Sequence, residues 1–71
     1  MNKYSAAKLH HSKWTAVNPV NKEKHFLVTR VLRNENEQVE KCLIEAVHSN
    51  RETIIDWQDL QDHKHWIQGW Q

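Results

Sequence analysis

The stretch HFLVTRVLR, residues 25–33, decides the fold because it is the strongest strand signal in the chain. It is rich in β-branched and aromatic residues, which pack well on a pleated surface and favour strands. Strict alternation places Phe26, Val28 and Leu32 on one face and Leu27, Thr29 and Val31 on the other. Apolar side chains on both faces predict a central strand, a strongly curved strand or a bulge.

A first strand is predicted upstream of this stretch, in SKWTAV at residues 12–17. Alternation places Trp14 and Ala16 together on one face of that strand. We expect the strand to end in the loop NPVNKEK, residues 18–24, because Pro19 has no N–H to donate to a sheet and asparagine favours turns.

Two further strands are predicted after the polar turn NENEQ at residues 34–38. The segment VEKCLIEAVH, residues 39–48, has apolar residues at helical spacing, so a short helix is an alternative, but its flanking turns favour a strand. ETIIDW, residues 52–57, follows as the fourth strand after a tight connection. In the third strand, the side chains expected to face the core are Cys42, Ile44 and Ala46.

The C-terminal part of the chain predicts a short helix followed by a bend. Asp56 stands at the position of a helix N-cap with Asp59 three residues later, so WQDLQDHK, residues 57–64, is expected to form one or two helical turns. Gly69, the only glycine, lets the chain bend between the last two tryptophans.

Together these elements predict a mainly β protein, on the border of α+β. We expect three to five antiparallel strands in meander order, closed by a short C-terminal helix or 3-10 turn. Either a small curled antiparallel meander or an SH3-like barrel fits this order. Residues 1–9 show no clear period and are expected to be a mobile N-terminal arm, so that residues 10–71 form a single small domain.

Length and composition make the aromatic residues the main source of core material. A domain of 71 residues buries only about 60% of the surface that its unfolded chain exposes. The single cysteine allows no disulfide within the chain, so the four tryptophans are expected to substitute for a covalent staple. A lone thiol fits a reducing compartment, and no segment reaches the roughly 20 apolar residues of a membrane span, so we expect a cytoplasmic protein that does not enter membranes.

Charge is distributed unevenly along the chain, although the net charge is only +1. Residues 1–33 carry seven Lys or Arg against one acidic residue, whereas residues 34–71 carry three against eight. Such asymmetry indicates either a nucleic-acid face or neighbouring strands whose charges neutralise one another across the sheet.

Single-stranded nucleic acid, RNA in particular, is the leading expected ligand, because small β domains bind it with basic side chains and aromatic platforms. The near-neutral net charge argues against this reading, since dedicated nucleic-acid binders are clearly basic. The candidate binding residues are Lys13, Lys22, Lys24, Arg30, Arg33 and Trp14.

A protein-interaction module is the alternative, since SH3-like sheets dock extended peptides in aromatic grooves. A homodimer interface is a further alternative, because exposed apolar patches on so small a domain seldom stay unpaired. Of the four tryptophans, Trp14 and Trp57 are expected in the core, and one of the two in the tail is expected to hold a ligand. An acidic aromatic groove at the C-terminal end suits a basic peptide, and its candidate residues are Trp66, Trp70, Asp59 and Asp62.

Neither catalysis nor metal binding is expected. Cys42 lies within an apolar run, where cysteine usually behaves as a small buried hydrophobe, and one glycine cannot build a phosphate cradle. His63 and His65 share a face if that segment is extended, but a structural zinc site needs four ligands, commonly including paired cysteines. We therefore expect no catalytic residues, no bound metal and no cofactor.

Three segments carry a resemblance to a known family: the opening SKWTAV, the block KEKHF at residues 22–26 and the closing W-x-x-G-W at residues 66–70. With these motifs the chain resembles a family of short bacterial tryptophan-rich proteins of similar length, over nearly everything from Lys8 to Trp70. The family is classed as a conserved domain of unknown function. The resemblance implies a soluble intracellular bacterial protein without an established activity, and it supplies no catalytic residues.

Overall fold

The computed structural model describes residues 5–71, which hold five strands and two short 3-10 helices. The strands are β1 (Lys13–Val20), β2 (Glu23–Arg33), β3 (Val39–Ala46), β4 (Glu52–Asp56) and β5 (Trp66–Gln68). The 3-10 helices are Ala6–Lys8 and Trp57–Gln61. No helix in this part of the chain is long and apolar enough to cross a membrane.

The strands form one antiparallel sheet in the order β4-β3-β2-β1-β5. The first four strands run as a meander, which confirms the predicted mainly β fold, and β5 then returns to the far side of β1. The alternative of an SH3-like barrel is wrong, because the sheet formed by residues 5–71 stays open with β4 and β5 as its two edges. Closure requires the edge strands to pair, and β5 is only three residues long.

β1 runs further than predicted and includes Pro19. Its pairing with β2 is regular up to Thr15, which lies opposite His25, and then slips so that Val20 lies opposite Glu23. The predicted loop at residues 18–24 is therefore wrong at both ends, since residues 18–20 belong to β1 and residues 23 and 24 to β2. The extra residues of β1 form a bulge, where the missing N–H of a proline costs no ladder hydrogen bond.

β2 is the central strand and carries the bulge that its two apolar faces predicted. The register with β3 shifts between Val28 and Arg30. Because one extra residue reverses the alternation, Val31 packs against the core although it was predicted on the opposite face. Leu32, predicted on the same face as Phe26 and Val28, lies opposite the exposed Lys41 instead, so that part of the prediction is wrong.

One face of the sheet, called the core face below, carries the hydrophobic core, and the opposite face is called the outer face. The predicted core positions in β3 are confirmed as buried, and so is Trp14, whereas Trp57 packs at the margin of the core. The buried apolar side chains are Leu9, Trp14, Phe26, Val28, Cys42, Ile44, Ala46 and Leu60. Leu60 is the only buried residue of the second 3-10 helix, which it anchors on the sheet.

The predicted helical turn after β4 is the 3-10 helix Trp57–Gln61. Asp56 caps it as predicted, since its carboxylate accepts a hydrogen bond of 2.9 Å from the backbone N–H of Gln58. The helix ends at Gln61, three residues before the predicted limit at Lys64.

The predicted mobile arm at residues 1–9 falls partly on residues 1–4, which lie outside the described residues. The remainder of this segment is packed on the domain, with a 3-10 helix at Ala6–Lys8 and with Leu9 fully buried in the core. Packing therefore begins before residue 10, the predicted start of the domain.

Candidate functional site

The C-terminal tail, residues 69–71, folds back over the outer face of β1. Gly69 has a φ of 79°, which a residue with a side chain rarely adopts, and its N–H donates to the carbonyl of Lys13 at 2.8 Å. The hydroxyl of Thr15 donates to the carbonyl of Gly69 at 2.6 Å and accepts from the N–H of Gln71 at 2.9 Å. These hydrogen bonds fix the tail in one position and leave Thr15 buried beneath it.

Trp70 is the residue that the tail presents at the surface. Its indole N–H donates to the carbonyl of Phe26 at 3.0 Å, which sets the orientation of the ring. The ammonium of Lys13 lies 4.8 Å from the ring centroid, and the ring of His25 lies 5.9 Å away. Since the Trp70 side chain is still 43% exposed, the structure presents an oriented indole beside a cation.

More cationic side chains surround a shallow depression of about 290 Å³ next to His25. The depression is lined by Lys22 of the β1–β2 turn, by Lys24 and His25 of β2, and by residues that follow β3. The N–H of Val47 donates to the carbonyl of His25 at 2.9 Å and so fixes that segment against β2. We call the combined surface the basic-aromatic patch, and it consists of Lys13, Lys22, Lys24, His25, His48 and Trp70.

The patch includes three of the five basic residues predicted from the sequence and leaves out two. Arg30 and Arg33 lie further along β2, where they line a separate depression together with His10. Arg33 lies nine positions after Lys24 along the extended strand, which corresponds to about 30 Å. Arg33 is also engaged locally, since its guanidinium donates to the carbonyl of Glu37 at 2.9 Å.

Trp14 cannot contribute to a binding surface, because its side chain is 0% exposed. Its indole N–H donates to the hydroxyl of Ser12 at 2.8 Å inside the protein. The aromatic member of the basic cluster is instead Trp70, which sequence reasoning placed in the acidic groove. The only sequence signal for this placement is Gly69, whose positive φ turns the tail onto the outer face.

The residues of the predicted acidic groove do not form one surface. Trp66 packs edge-on against Phe26 on the core face, with ring centroids 5.2 Å apart, whereas Trp70 lies on the outer face. Asp62 accepts from the N–H of Lys64 at 2.9 Å and pairs with the ring of His65 at 2.8 Å, and these contacts lower the pKa of its carboxyl group. Asp59 lies in the 3-10 helix after β4.

An open cleft on the core face escaped sequence reasoning. It has a volume of about 340 Å³, and its apolar lining includes Phe26, Ile44, Ile55 and Trp66. Glu23 lies at its margin and is only 3% exposed. Its carboxylate accepts hydrogen bonds from the guanidinium of Arg51, with Nε at 3.1 Å, and from the hydroxyl of Ser49.

These hydrogen bonds from Arg51 and then Ser49 lower the pKa of Glu23 to about 2. A lowered pKa means that the ionised carboxylate stabilises the fold above the ordinary glutamate pKa of 4.5, and that this contribution is lost as the pH falls toward 2. Urea denaturation of Glu23→Gln should therefore show reduced stability at pH 7 and a difference from wild type that shrinks on acidification. Glu40→Gln, at an exposed position of β3, is the control that should follow wild type. A constant difference between Glu23→Gln and wild type across this pH range would contradict the assignment.

The groups that sequence reasoning weighed for catalysis or metal binding are separated or buried. Burial, with smaller contributions from Asp56 and Asp59, raises the pKa of Cys42 to about 11, which leaves little nucleophilic thiolate at neutral pH. His63 and His65 lie in a turn, not in an extended segment. Among residues 5–71, no three His, Cys, Asp or Glu side chains are grouped to hold a metal ion.

Comparison with known proteins gives one match. The family described as tryptophan-rich protein (DUF2389) matches residues 12–71. No curated protein and no solved structure matches the chain. The match begins at the strand that carries the buried Trp14 and includes the whole tail with Trp70.

Proposed function

The chain belongs to the tryptophan-rich protein family DUF2389, and we propose that it is a non-enzymatic protein that binds single-stranded nucleic acid through its basic-aromatic patch. The observation that carries the proposal is the oriented, half-exposed indole of Trp70 with the ammonium of Lys13 4.8 Å from its centroid. A base can stack on the exposed part of the indole while neighbouring cations contact phosphates, and this combination is typical of sheet proteins that bind single strands. The single thiol fits a reducing compartment, so we place this function in the cytoplasm.

The size of the patch sets the strength of binding. Lys13 lies at the Trp70 ring, while Lys22 and Lys24 line the depression beside His25, whose ring lies against Trp70, so one short strand that crosses His25 can contact all three lysines. Neutralising three phosphates of a single strand gives a slope of about −2 for the logarithm of the binding constant against the logarithm of salt concentration. We therefore expect modest affinity with a clear but limited salt dependence, in keeping with the small net charge of the chain.

The experiment is a fluorescence-anisotropy titration of a labelled ten-nucleotide oligouridylate at about 50 and about 200 mM salt. Trp70→Ala should weaken binding roughly 5- to 150-fold, the range that one stacked base supplies. Lys24→Gln should weaken binding less and should also flatten the salt dependence by about 0.7 units of slope.

Two further variants make this test specific. Trp70→Phe keeps an aromatic ring and should retain part of the affinity. Arg33→Gln removes a cation of the same strand outside the patch and should bind as wild type does. Equal affinity of wild type and Trp70→Ala, or a larger loss for Arg33→Gln than for Lys24→Gln, would overturn the proposal.

A further inference from the structure

The cleft on the core face occupies the gap between the two edges of the sheet. Thr53 and Ile55 of β4 form one wall, and Trp66 of β5 stands on the opposite side with the bulged part of β1. Phe26 and Ile44, from the two strands between, form its floor, and the polar side chains of Glu23, Arg51 and His65 also line it. The sheet is therefore curved enough for both edges to border one cavity, while the strands that carry them remain unpaired with each other.

β4 has a free hydrogen-bonding edge along this gap. The N–H of Ala46 donates to the carbonyl of Arg51, and the register between β3 and β4 continues without a shift. Because hydrogen-bonded positions alternate along an antiparallel strand, Glu52, Ile54 and Asp56 direct their backbone N–H and C=O groups away from β3. No strand of the described chain lies on that side.

The side chains of β4 determine which kind of strand can pair with its free edge. On the outer face, Ile54 is 55% exposed and stands between the acidic residues Glu52 and Asp56. A second copy that paired antiparallel about Ile54 would place Glu52 of each copy opposite Asp56 of the other, which is unfavourable for like charges. These like charges disfavour self-association in this register, and the edge favours a strand that carries cations.

We infer that the free edge of β4 and the adjoining cleft bind an extended basic-apolar segment of a partner protein, which adds to the sheet as an antiparallel strand. The segment has the pattern cation-apolar-apolar-apolar-cation. Its middle residue packs on Ile54, and its two cations lie opposite Glu52 and Asp56 on the outer face. The two intervening side chains point to the core face beside Thr53 and Ile55, where the cleft of about 340 Å³ receives them.

This surface is distinct from the basic-aromatic patch in both position and chemistry. The acidic side chains of β4 repel phosphate, whereas the patch on the opposite half of the sheet is cationic. Peptide binding at β4 therefore does not depend on nucleic-acid binding at the patch. A variant such as Trp70→Ala should leave peptide binding unchanged.

The test is an NMR titration of the isotope-labelled full chain with the blocked peptide Lys-Phe-Val-Phe-Lys. Saturable shifts at the backbone amides of Glu52, Ile54 and Asp56, with shifts of Thr53 and Ile55, are expected. The matched control is Phe-Lys-Val-Lys-Phe, which has the same composition but, in the register centred on Ile54, turns its lysines toward the apolar cleft. It should bind about tenfold more weakly or worse.

Charge exchange provides the second part of the test. Glu52→Lys, at an exposed position, should weaken binding of Lys-Phe-Val-Phe-Lys about fivefold. The peptide Lys-Phe-Val-Phe-Glu should regain that affinity, because antiparallel addition places its C-terminal glutamate opposite the new lysine. Equal binding of the two isomeric peptides, shifts confined to the basic-aromatic patch, or displacement of the peptide by an oligonucleotide would overturn the inference.

Discussion

Replacing Trp14 by alanine should lower the free energy of unfolding by about 3–5 kcal/mol, the cost of deleting a large buried aromatic side chain. Trp14 is 0% exposed and contributes the largest fully buried side chain of the described chain. A domain this small has a total stability near the lower end of the usual range, roughly 5 kcal/mol. The variant should therefore be largely unfolded in dilute urea, which far-ultraviolet circular dichroism during urea denaturation will show.

Trp70→Ala is the matched control for this prediction, because it removes the same side chain from the outer face. It loses the hydrogen bond to the carbonyl of Phe26, worth about 1 kcal/mol, and a smaller buried area than Trp14→Ala, since Trp70 is 43% exposed and Trp14 is fully buried. Comparable losses of stability in Trp14→Ala and Trp70→Ala would contradict the division of the tryptophans between the core and the surface.

The thiol of Cys42 should react with an aromatic disulfide reagent a few thousandfold more slowly in the native protein than in the unfolded chain. Cys42 is fully buried in β3, and its raised pKa of about 11 further reduces the reactive thiolate. If the thiol becomes accessible only on global unfolding, a stability of about 5 kcal/mol sets the protection at a few thousandfold. Stopped-flow absorbance at increasing urea concentrations measures the rate.

Measuring the reaction rate of Cys42 in the Trp14→Ala variant tests the predictions for Trp14 and Cys42 together. Loss of the core aromatic should remove most of the protection of Cys42, because both residues belong to one hydrophobic cluster. A native rate close to that of a free thiol would mean that β3 opens locally, and it would return Cys42 to consideration as a nucleophile.

Much of the sheet could be predicted because its central strands carry strong local patterns. The β-branched run of β2 and the alternation of Cys42, Ile44 and Ala46 in β3 placed two strands and their buried faces. The two apolar faces of β2 indicated a bulge, but nothing local fixed its position, so Leu32 was assigned to the wrong face. A bulge is located by the partner strand, which a single sequence does not reveal.

The edges of the sheet were harder to predict. β5 has three residues, too few to show an alternating pattern, and it forms only because β1 lies beside it. The barrel prediction failed for a related reason, since closure depends on how two distant edges meet. Pro19 led us to end β1 too early. A proline is tolerated there because the bulge leaves its position without a ladder hydrogen bond to lose.

The sequence identified the lysines of the candidate site, but it did not show how the fold groups them. Charge along the chain identified Lys13, Lys22 and Lys24, but it did not show that the length of β2 separates them from Arg33. Trp14 lies in the core as expected, and its additional listing among the binding residues was wrong. Trp70 supplies the aromatic ring beside Lys13 instead, because Gly69 turns the tail onto the outer face, which no local pattern shows. The pair formed by Glu23 and Arg51 joins residues far apart in the sequence, and no local signal marks it.

We propose that Trp14 belongs to the core and that Trp70 contacts the ligand. An NMR titration with a short single-stranded RNA, followed through the four indole N–H signals, tests this most directly. Each tryptophan gives one such signal, so the spectrum reports separately on Trp14 and Trp70. At low salt we expect saturable shifts of the Trp70 indole and of the Lys22 and Lys24 amides, no shift of the Trp14 indole, and weaker binding as salt is added. The absence of any shift of the Trp70 indole at low salt would contradict the account and would leave the basic-aromatic patch without its ligand.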